Sequence, residues 1–217
     1  MRVEASNFLP NEKHATAFDS RLWRPPIIRN FENMRPMLPK PLIIEALVAL
    51  DAECAARGIT GELCIYGGTG MVLVFDARES TRDVDAVFKP KTEIREAARI
   101  VSQKLELPAD WLNDGVKGFV SENESFSRFS IPELDALSNL RFLWPSPDYI
   151  LAMKCMAARI DDTATDRADV LFLIQKLSLK SAEEVLGIVE RFFPKDRIHI
   201  KTVYFIEEIL AAMGDQR

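Results

Sequence analysis

The chain has 217 residues, of which 47% are hydrophobic, and carries a net charge of -5. Its length and apolar content allow it to bury a core, and they favour one main folded unit with a helical appendage over two independent domains. The acidic balance argues against indiscriminate binding to duplex nucleic acid, because the phosphates would be repelled except along a local basic path.

Three cysteines lie inside apolar stretches, at spacings that match neither a zinc site nor a disulfide framework. We interpret Cys54, Cys64 and Cys155 as small core residues of a protein from a reducing compartment. Residues 1–7 lack an apolar signal region, and no run of the sequence approaches the length needed to span a bilayer. These features predict a cytoplasmic protein with no membrane partner.

Residues 1–41 are rich in proline and, toward their end, in basic residues. They hold half of the chain's twelve prolines, and residues 21–40 contain five arginines or lysines against one glutamate. Because proline disfavours regular structure, we predict an N-terminal arm that lies on the body of the protein or on a partner. A solvated extension is the favoured explanation of its charge, and an arm reaching toward a phosphate-bearing substrate is the alternative.

Residues 42–145 are predicted to form an α/β core. An apolar stripe over residues 42–57 predicts a helix that ends at Gly58. Residues 63–66 form an apolar run too short for a helix, which stops at Gly67 and Gly68 and so predicts a buried strand entering a tight turn. Residues 69–76 then provide about two helical turns, whose N-terminal dipole would point at whatever sits over the glycines.

Two aspartates one residue apart follow this helix. Residues 83–88 predict a strand, and since side chains alternate along a strand, Asp83 and Asp85 share one face while Val84 takes the core face. Their Cα atoms would lie roughly 6 to 7 Å apart, close enough for the carboxylates to grip one Mg²⁺ or bridge two. With a glycine turn that lets a triphosphate approach backbone N–H groups, this pair is what a metal-dependent nucleotidyl transfer needs. A solvated strand edge beside an ordinary turn is the alternative.

The pattern is less regular between this strand and residue 146. Apolar spacing over residues 94–105 predicts an amphipathic helix after Pro90, and residues 108–114 predict a loop around Trp111. Candidate strands cover residues 118–120 and 140–144, with a polar stretch between them that is either a hairpin or a surface loop. From Ser146 onward the chain has helical signals, so residues 146–217 are predicted to form a helical region.

A second group of charged residues lies in this helical region. Lys154 has apolar neighbours on its helix, so its stem must cross apolar surface before the ammonium reaches an anion or water. Asp166 and Asp169 share a face of the next predicted helix and could anchor Lys154 or Arg159 across a helix hairpin. A triphosphate oxygen is the functional partner for Lys154, and a salt bridge between two helices is the structural alternative.

The order of these motifs resembles that of the nucleotidyltransferase superfamily. It consists of an apolar residue before Gly67-Gly68-Thr69, a helix, and then Thr81-Arg82-Asp83-Val84-Asp85. The likeness is to the small bacterial branch akin to the toxins of abortive-infection toxin-antitoxin systems, whose lysine helix and Asp-x-x-Asp helix are similar to the segments around Lys154 and residues 166–169. It covers about residues 42–193 and leaves the N-terminal arm unexplained.

The resemblance implies an α+β fold of the DNA polymerase beta type, with a nucleotidyltransferase-like mixed sheet flanked by helices and followed by a C-terminal helical bundle. It also implies an enzyme that takes a nucleoside triphosphate with Mg²⁺ or Mn²⁺ and moves the nucleotidyl group to an acceptor hydroxyl on tRNA, on a protein or on a small molecule. An antitoxin protein would be a partner of such a toxin. The implied catalytic residues are Asp83, Asp85, Lys154 and Asp169. The metal would be held by Asp83 and Asp85. The implied nucleotide-binding residues are Gly67, Gly68, Thr69 and Thr81.

One departure from the family pattern bears on activity. Other members supply a third carboxylate from a later strand, and residues 140–144 offer none. The acids of the polar stretch are Glu122, Glu124, Glu133 and Asp135. The resemblance to the toxin-like branch implies that Asp169 could compensate, and without any third acid the alternative is a catalytically silent relative that binds a nucleotide or a partner protein. His14 and His199 are poorly placed for general-base work, so deprotonation of the acceptor falls to a carboxylate or to water on the metal.

Overall fold

The protein is represented by a computed structural model that describes residues 36–157 and 164–214. Most of the predicted N-terminal arm, together with His14 and Arg159, lies outside the described residues. The described residues belong to one unit. The predicted core and the predicted helical region therefore fold against each other.

The described strands form one large and one small sheet. In chain order they are β1 (Leu38–Pro39), β2 (Gly61–Ile65), β3 (Ser80–Thr81), β4 (Val84–Lys89), β5 (Leu112–Asn113), β6 (Phe126–Ser127) and β7 (Leu140–Pro145). The large sheet has five strands in the order β5-β4-β2-β7-β6. β2 is antiparallel to β4 and parallel to β7, while β4 is parallel to β5 and β7 is antiparallel to β6. The predicted α+β class with a mixed sheet is thus confirmed.

Helices cover both faces of this sheet. The described α-helices are α1 (Lys40–Ala56), α2 (Gly67–Leu73), α3 (Lys91–Lys104), α4 (Pro132–Asp135), α5 (Pro147–Ala157), α6 (Ala164–Lys176), α7 (Ala182–Phe192) and α8 (Ile200–Gly214). Short 3-10 helices cover Gly115–Phe119 and Lys195–Arg197. Among the described helices, none combines the length and the apolar character that crossing a bilayer requires.

Side-chain alternation along the sheet divides the interior into two cores. Leu63 and Ile65 of β2 point to the face that α1 and α3 cover. Cys64 points to the opposite face, where the helices from α5 onward pack. The same alternation holds in β4, where Val84 and Ala86 are fully buried and Asp85 is half-buried on the other face. Asp85 is therefore held on the side of the sheet that carries α5 and α6.

The predicted first helix is confirmed, with one change at its start. α1 begins at Lys40 rather than at residue 42, because Pro41 fits the first helical turn. The helix ends as predicted, since Gly58 has a φ of +66° and donates its N–H to the carbonyl of Ala55. Just before α1, Leu38 pairs with Thr81 in a two-stranded sheet. The start of the described chain is thereby tied to the segment that precedes β4.

The prediction of a strand at residues 118–120 is wrong. Gly115–Phe119 is a 3-10 helix, and Val116 and Val120 pack against the core of the C-terminal helices instead of alternating across a sheet. The strands of this region are β5 and β6, each two residues long. Strands this short carry no periodic signal, so sequence patterns cannot locate them.

Candidate functional site

A cavity of about 580 Å³ lies where the end of β2 meets the start of β4. We call it the aspartate cavity. Its charged lining residues include Arg78, Arg82, Asp83, Asp85, Lys154 and Asp166. Its uncharged lining residues include Met37, Gly67, Gly68, Ser80, Thr81, Gly115, Val116, Phe119, Ile150, Met153, Ala157 and Thr165. Three parts of the sequence therefore meet here: the turn at Gly67 and Gly68, which we call the glycine turn, the start of β4 with its two aspartates, and α5 with Lys154.

The two aspartates open onto this cavity together. Asp83 lies just before β4 and Asp85 lies within it, and both are half-buried. The Thr69 hydroxyl donates a hydrogen bond of 3.0 Å to the carbonyl oxygen of Asp83, which attaches α2 to the start of the strand. Asn113 Nδ2 donates a 3.0 Å bond to Asp83 Oδ2 and so fixes one carboxylate oxygen. Both carboxylates are held by their neighbours rather than extended into solvent.

Burial and mutual repulsion oppose the ionisation of Asp85. Burial raises its pKa most, and the negative charge of Asp83 raises it further. A hydrogen bond from Asn113 and the charge of Lys154 act in the opposite direction, and the resulting pKa is about 6, against an ordinary 3.8. A cation placed between the two carboxylates would relieve this repulsion. The pair thus has the electrostatic character of a site for positive charge.

The glycine turn lies directly against the strand that carries the aspartates. Gly67 has a φ of +60°, and a Cβ added there would lie only 2.7 Å from Asp85 Oδ2. A Cβ added at Gly68 would lie 2.5 Å from the Thr81 hydroxyl oxygen. A side chain at either position would have to displace Asp85 or Thr81, so the two glycines let the turn approach both residues. α2 itself has seven residues, and it is this close approach, not a long helix dipole, that distinguishes the turn.

Lys154 and Asp169 meet beside the cavity. The Lys154 ammonium lies 2.6 Å from Asp169 Oδ2 and 3.3 Å from Asp166 Oδ1. Asp169 is nearly inaccessible at 2% exposed, and it also accepts hydrogen bonds from Nε and Nη2 of Arg78. Both oxygens of Asp169 thus face cations. In this arrangement Asp169 holds two cations in place.

The residues predicted from sequence are distributed around this site in two ways. Asp83, Asp85, Lys154, Gly67, Gly68 and Thr81 line the cavity. Thr69 is fully buried behind the turn, and Asp169 is buried behind Lys154 and Arg78. The four candidate acids of residues 122–135 are not among the lining residues. His199 is exposed, and its Nδ1 accepts a hydrogen bond from the Lys201 N–H at the start of α8.

Sequence reasoning missed Asn113 and Arg78, whose side chains donate hydrogen bonds to Asp83 and Asp169. Asn113 lies opposite Asp85 in the parallel pair of β4 and β5, a neighbouring-strand position from which an acid could reach a metal held by the two aspartates. Its side chain is an amide, so no third carboxylate comes from there. Arg78 precedes β3 in an irregular segment and contacts Asp169, 91 residues away. Only the general rule that an arginine near a glycine turn can bind anions could have indicated it.

The donor set fits a divalent metal. Mg²⁺ in proteins is commonly held by one or two carboxylates together with phosphates of the substrate and water, so two aspartates suffice. Within residues 36–157 and 164–214, no group of three or more His, Cys, Asp or Glu side chains is arranged to hold a metal ion. A metal held by Asp83 and Asp85 would take its remaining oxygens from water or from a phosphorylated substrate.

Comparison with known protein families, with curated proteins and with solved structures finds no match for this chain.

Proposed function

We propose that this protein is a metal-dependent nucleotidyltransferase that moves a nucleotidyl group from a nucleoside triphosphate to an acceptor hydroxyl. The observation that carries the proposal is the position of Asp83 and Asp85, whose side chains line one cavity with the glycine turn and Lys154. Carboxylates, a turn open to phosphates and a cation are the groups this reaction requires.

The residues divide the work of the reaction between them. The acceptor oxygen bonds to the α-phosphorus, and the bond to the bridging oxygen breaks, so that pyrophosphate leaves. Asp83 and Asp85 would hold Mg²⁺, which neutralises phosphate charge and aligns the entering and leaving oxygens. Lys154 would stabilise the charge that builds on the leaving pyrophosphate. The proton of the acceptor hydroxyl passes to a carboxylate of the pair or to water.

The apolar part of the cavity suits the nucleobase. Phe119 is 37% exposed and lines the cavity beside Val116, on the 3-10 helix that follows β5. An exposed aromatic ring offers a stacking surface that accepts any base. We place the base against Phe119 and the phosphates between the glycine turn and Lys154.

The experiment that tests this function follows the α-phosphate. The purified protein is incubated with Mg²⁺, a cell extract and nucleoside triphosphates labelled either at the α- or at the γ-phosphorus. The proposal predicts that only the α-label moves onto a macromolecule, and that Asp85→Asn abolishes the transfer. Asp196→Asn, an exposed aspartate on the 3-10 helix Lys195–Arg197, is the matched control and should be fully active. Transfer of the γ-label instead would indicate a kinase and contradict the proposal.

A role as the toxin of a toxin-antitoxin pair is the biological form of this proposal. The labelled product then is an RNA or a protein of the host cell, and nuclease or protease treatment of the product distinguishes the two. Induced expression in a bacterial host should stop growth, and Asp85→Asn should restore it. Normal growth with active wild-type protein would exclude the toxin role while leaving the transferase activity in place.

Asn113 favours a second candidate, a catalytically silent protein that binds a nucleotide. An amide stands opposite Asp85, and the carboxylate of Asp169 is paired with two cations. A silent protein would bind nucleotide without moving the α-label. Its binding would also be unchanged by Asp83→Ala or Asp85→Ala.

A further inference from the structure

Arg78 stands between a buried carboxylate and the glycine turn. Its side chain is 16% exposed and lines the aspartate cavity, although the segment that carries it has no regular structure. Nε and Nη2 both donate to Asp169. This two-point contact fixes the plane of the guanidinium group, as paired hydrogen bonds between arginine and a carboxylate do.

The remaining nitrogen of Arg78 faces the turn. A Cβ added at Gly68 would lie 3.1 Å from Nη1 and 2.5 Å from the Thr81 hydroxyl oxygen. Nη1 takes no part in the contact with Asp169, so its two hydrogens are directed away from that carboxylate. The absence of a side chain at Gly68 leaves the wall of the cavity open beside both Nη1 and the Thr81 hydroxyl. Two hydrogen-bond donor groups therefore border one corner of the cavity.

The charge around this corner is suited to an anion. Arg78 and Lys154 converge on one carboxylate, Asp169, which is 2% exposed and lies behind them. Asp166 contacts Lys154 at the longer distance of 3.3 Å and is 45% exposed, so water screens its charge. Two largely buried cations thus face one buried anion. A phosphate group entering the corner would meet both of these cations.

We propose that Arg78 is a second phosphate-binding cation that acts with Lys154, so that the cavity selects ligands with a polyphosphate chain over monophosphates. Asp169 is the positioning residue that holds both cations. This inference rests on the proposed function for the identity of the ligand as a nucleotide. Phosphate binding at the corner bordered by Arg78 and Thr81, which we call the phosphate corner, depends only on the contacts of Arg78 described above. A chain of phosphates offers more oxygens to the metal, Arg78 and Lys154 than a single phosphate does.

The test measures binding of inorganic tripolyphosphate and inorganic phosphate to the full chain by calorimetry, with Mg²⁺ present. The wild type should bind tripolyphosphate at least about tenfold more tightly than phosphate, since each charge-assisted hydrogen bond contributes about that factor. Arg78→Gln should remove most of this difference. Arg99→Gln, an exposed arginine of α3 outside the cavity, is the control and should leave both affinities unchanged.

A second variant separates binding from folding. In Arg78→Lys the ammonium can still pair with Asp169, so the melting temperature should stay near that of the wild type, but one point charge cannot pair with Asp169 and also present a second donor edge. Tripolyphosphate binding should therefore weaken several-fold in a folded protein. Wild-type affinity in Arg78→Lys would overturn the proposal, as would a wild-type protein that binds tripolyphosphate no better than phosphate.

The result is independent of the transferase assay. If Arg78→Lys loses tripolyphosphate affinity and no α-label moves, the phosphate corner stands and the transferase function fails. If label moves and the Arg78 variants bind tripolyphosphate normally, the transferase function stands and the role of Arg78 is refuted.

Discussion

Gly67, which follows β2, lies against Asp85 of β4, so that a Cβ added at Gly67 would lie only 2.7 Å from Asp85 Oδ2. The turn and the carboxylate therefore depend on each other. Any side chain at residue 67 would push the carboxylate from the place where it faces Asp83 and the cavity. This contact gives the first prediction.

Gly67→Ala should damage both the stability and the metal site. The substitution places a side chain at a φ of +60° and against Asp85, so we expect a loss of about 1–3 kcal/mol in the free energy of unfolding. Binding of nucleotide with Mg²⁺ should be lost as well. Gly70→Ala in the same helix is the control, because its Cβ would meet Ile150 at an ordinary 3.5 Å. Equal effects of the two variants would contradict this account of the turn.

Asp85→Asn should change how stability depends on pH. The folded pKa of about 6 is above the ordinary 3.8, so the folded state keeps a proton that the unfolded state has lost. Stability of the metal-free wild type therefore falls as pH rises through this interval. The variant lacks this loss. Its free energy of unfolding should equal that of the wild type below pH 4 and exceed it by at most about 3 kcal/mol above pH 7. Urea denaturation across this pH range measures the difference in the free energy of unfolding between the two proteins. A difference that does not change with pH would contradict the prediction.

Magnesium should stabilise the wild type but not Asp85→Asn. At neutral pH, added Mg²⁺ should raise the melting temperature of the wild type, because the cation relieves the repulsion between Asp83 and Asp85. It should not change the melting temperature of Asp85→Asn. An equal rise in both proteins would mean that Mg²⁺ binds elsewhere.

Asn113→Ala should weaken metal binding without unfolding the protein. The hydrogen bond from Asn113 Nδ2 holds one oxygen of Asp83, and its removal lets that carboxylate turn. We expect the affinity for Mn²⁺, measured by titration, to fall by about tenfold, the equivalent of one hydrogen bond to a charged group. Asn123→Ala, an exposed asparagine, should have no effect. Asn113→Asp should instead tighten Mn²⁺ binding, and weaker binding in that variant would argue against a metal at this position.

Asp169 and Asp166 should differ sharply in their contribution to stability, although both contact Lys154. Asp169→Asn leaves two largely buried cations without their shared anion, so we expect a loss of about 3–5 kcal/mol. Asp166 is 45% exposed, and Asp166→Asn should cost at most about 1 kcal/mol because water screens the pair. Chemical denaturation of the two variants measures both values. Similar losses would mean that the buried cluster is not the anchor described here.

The sequence patterns located the parts of the fold that depend on local chemistry. Gly58 ends α1 because a left-handed residue is needed there, and the alternation around Asp85 was visible because β4 is six residues long. These features are set by neighbours along the chain. The turn at Gly67 and the strand β2 that precedes it could be predicted from the sequence for the same reason.

The missed residues owe their roles to distant parts of the chain. Asn113 sits beside Asp85 only because a strand of two residues adds to the edge of the sheet. Arg78 owes its place to Asp169 on a helix 91 residues later. The wrong strand at residues 118–120 has a similar cause, because Val116 and Val120 pack on helices that follow in the sequence. Tertiary contacts of this kind leave no local periodic signal.

Titration with a nucleoside triphosphate, with and without Mg²⁺, tests most directly whether Asp83 and Asp85 gather a metal for a phosphorylated substrate. The wild type should bind tightly only when Mg²⁺ is present, and Asp83→Asn and Asp85→Asn should remove that dependence while Asp196→Asn retains it. Nucleotide binding that is equally tight without Mg²⁺, or that survives both substitutions, would contradict the account.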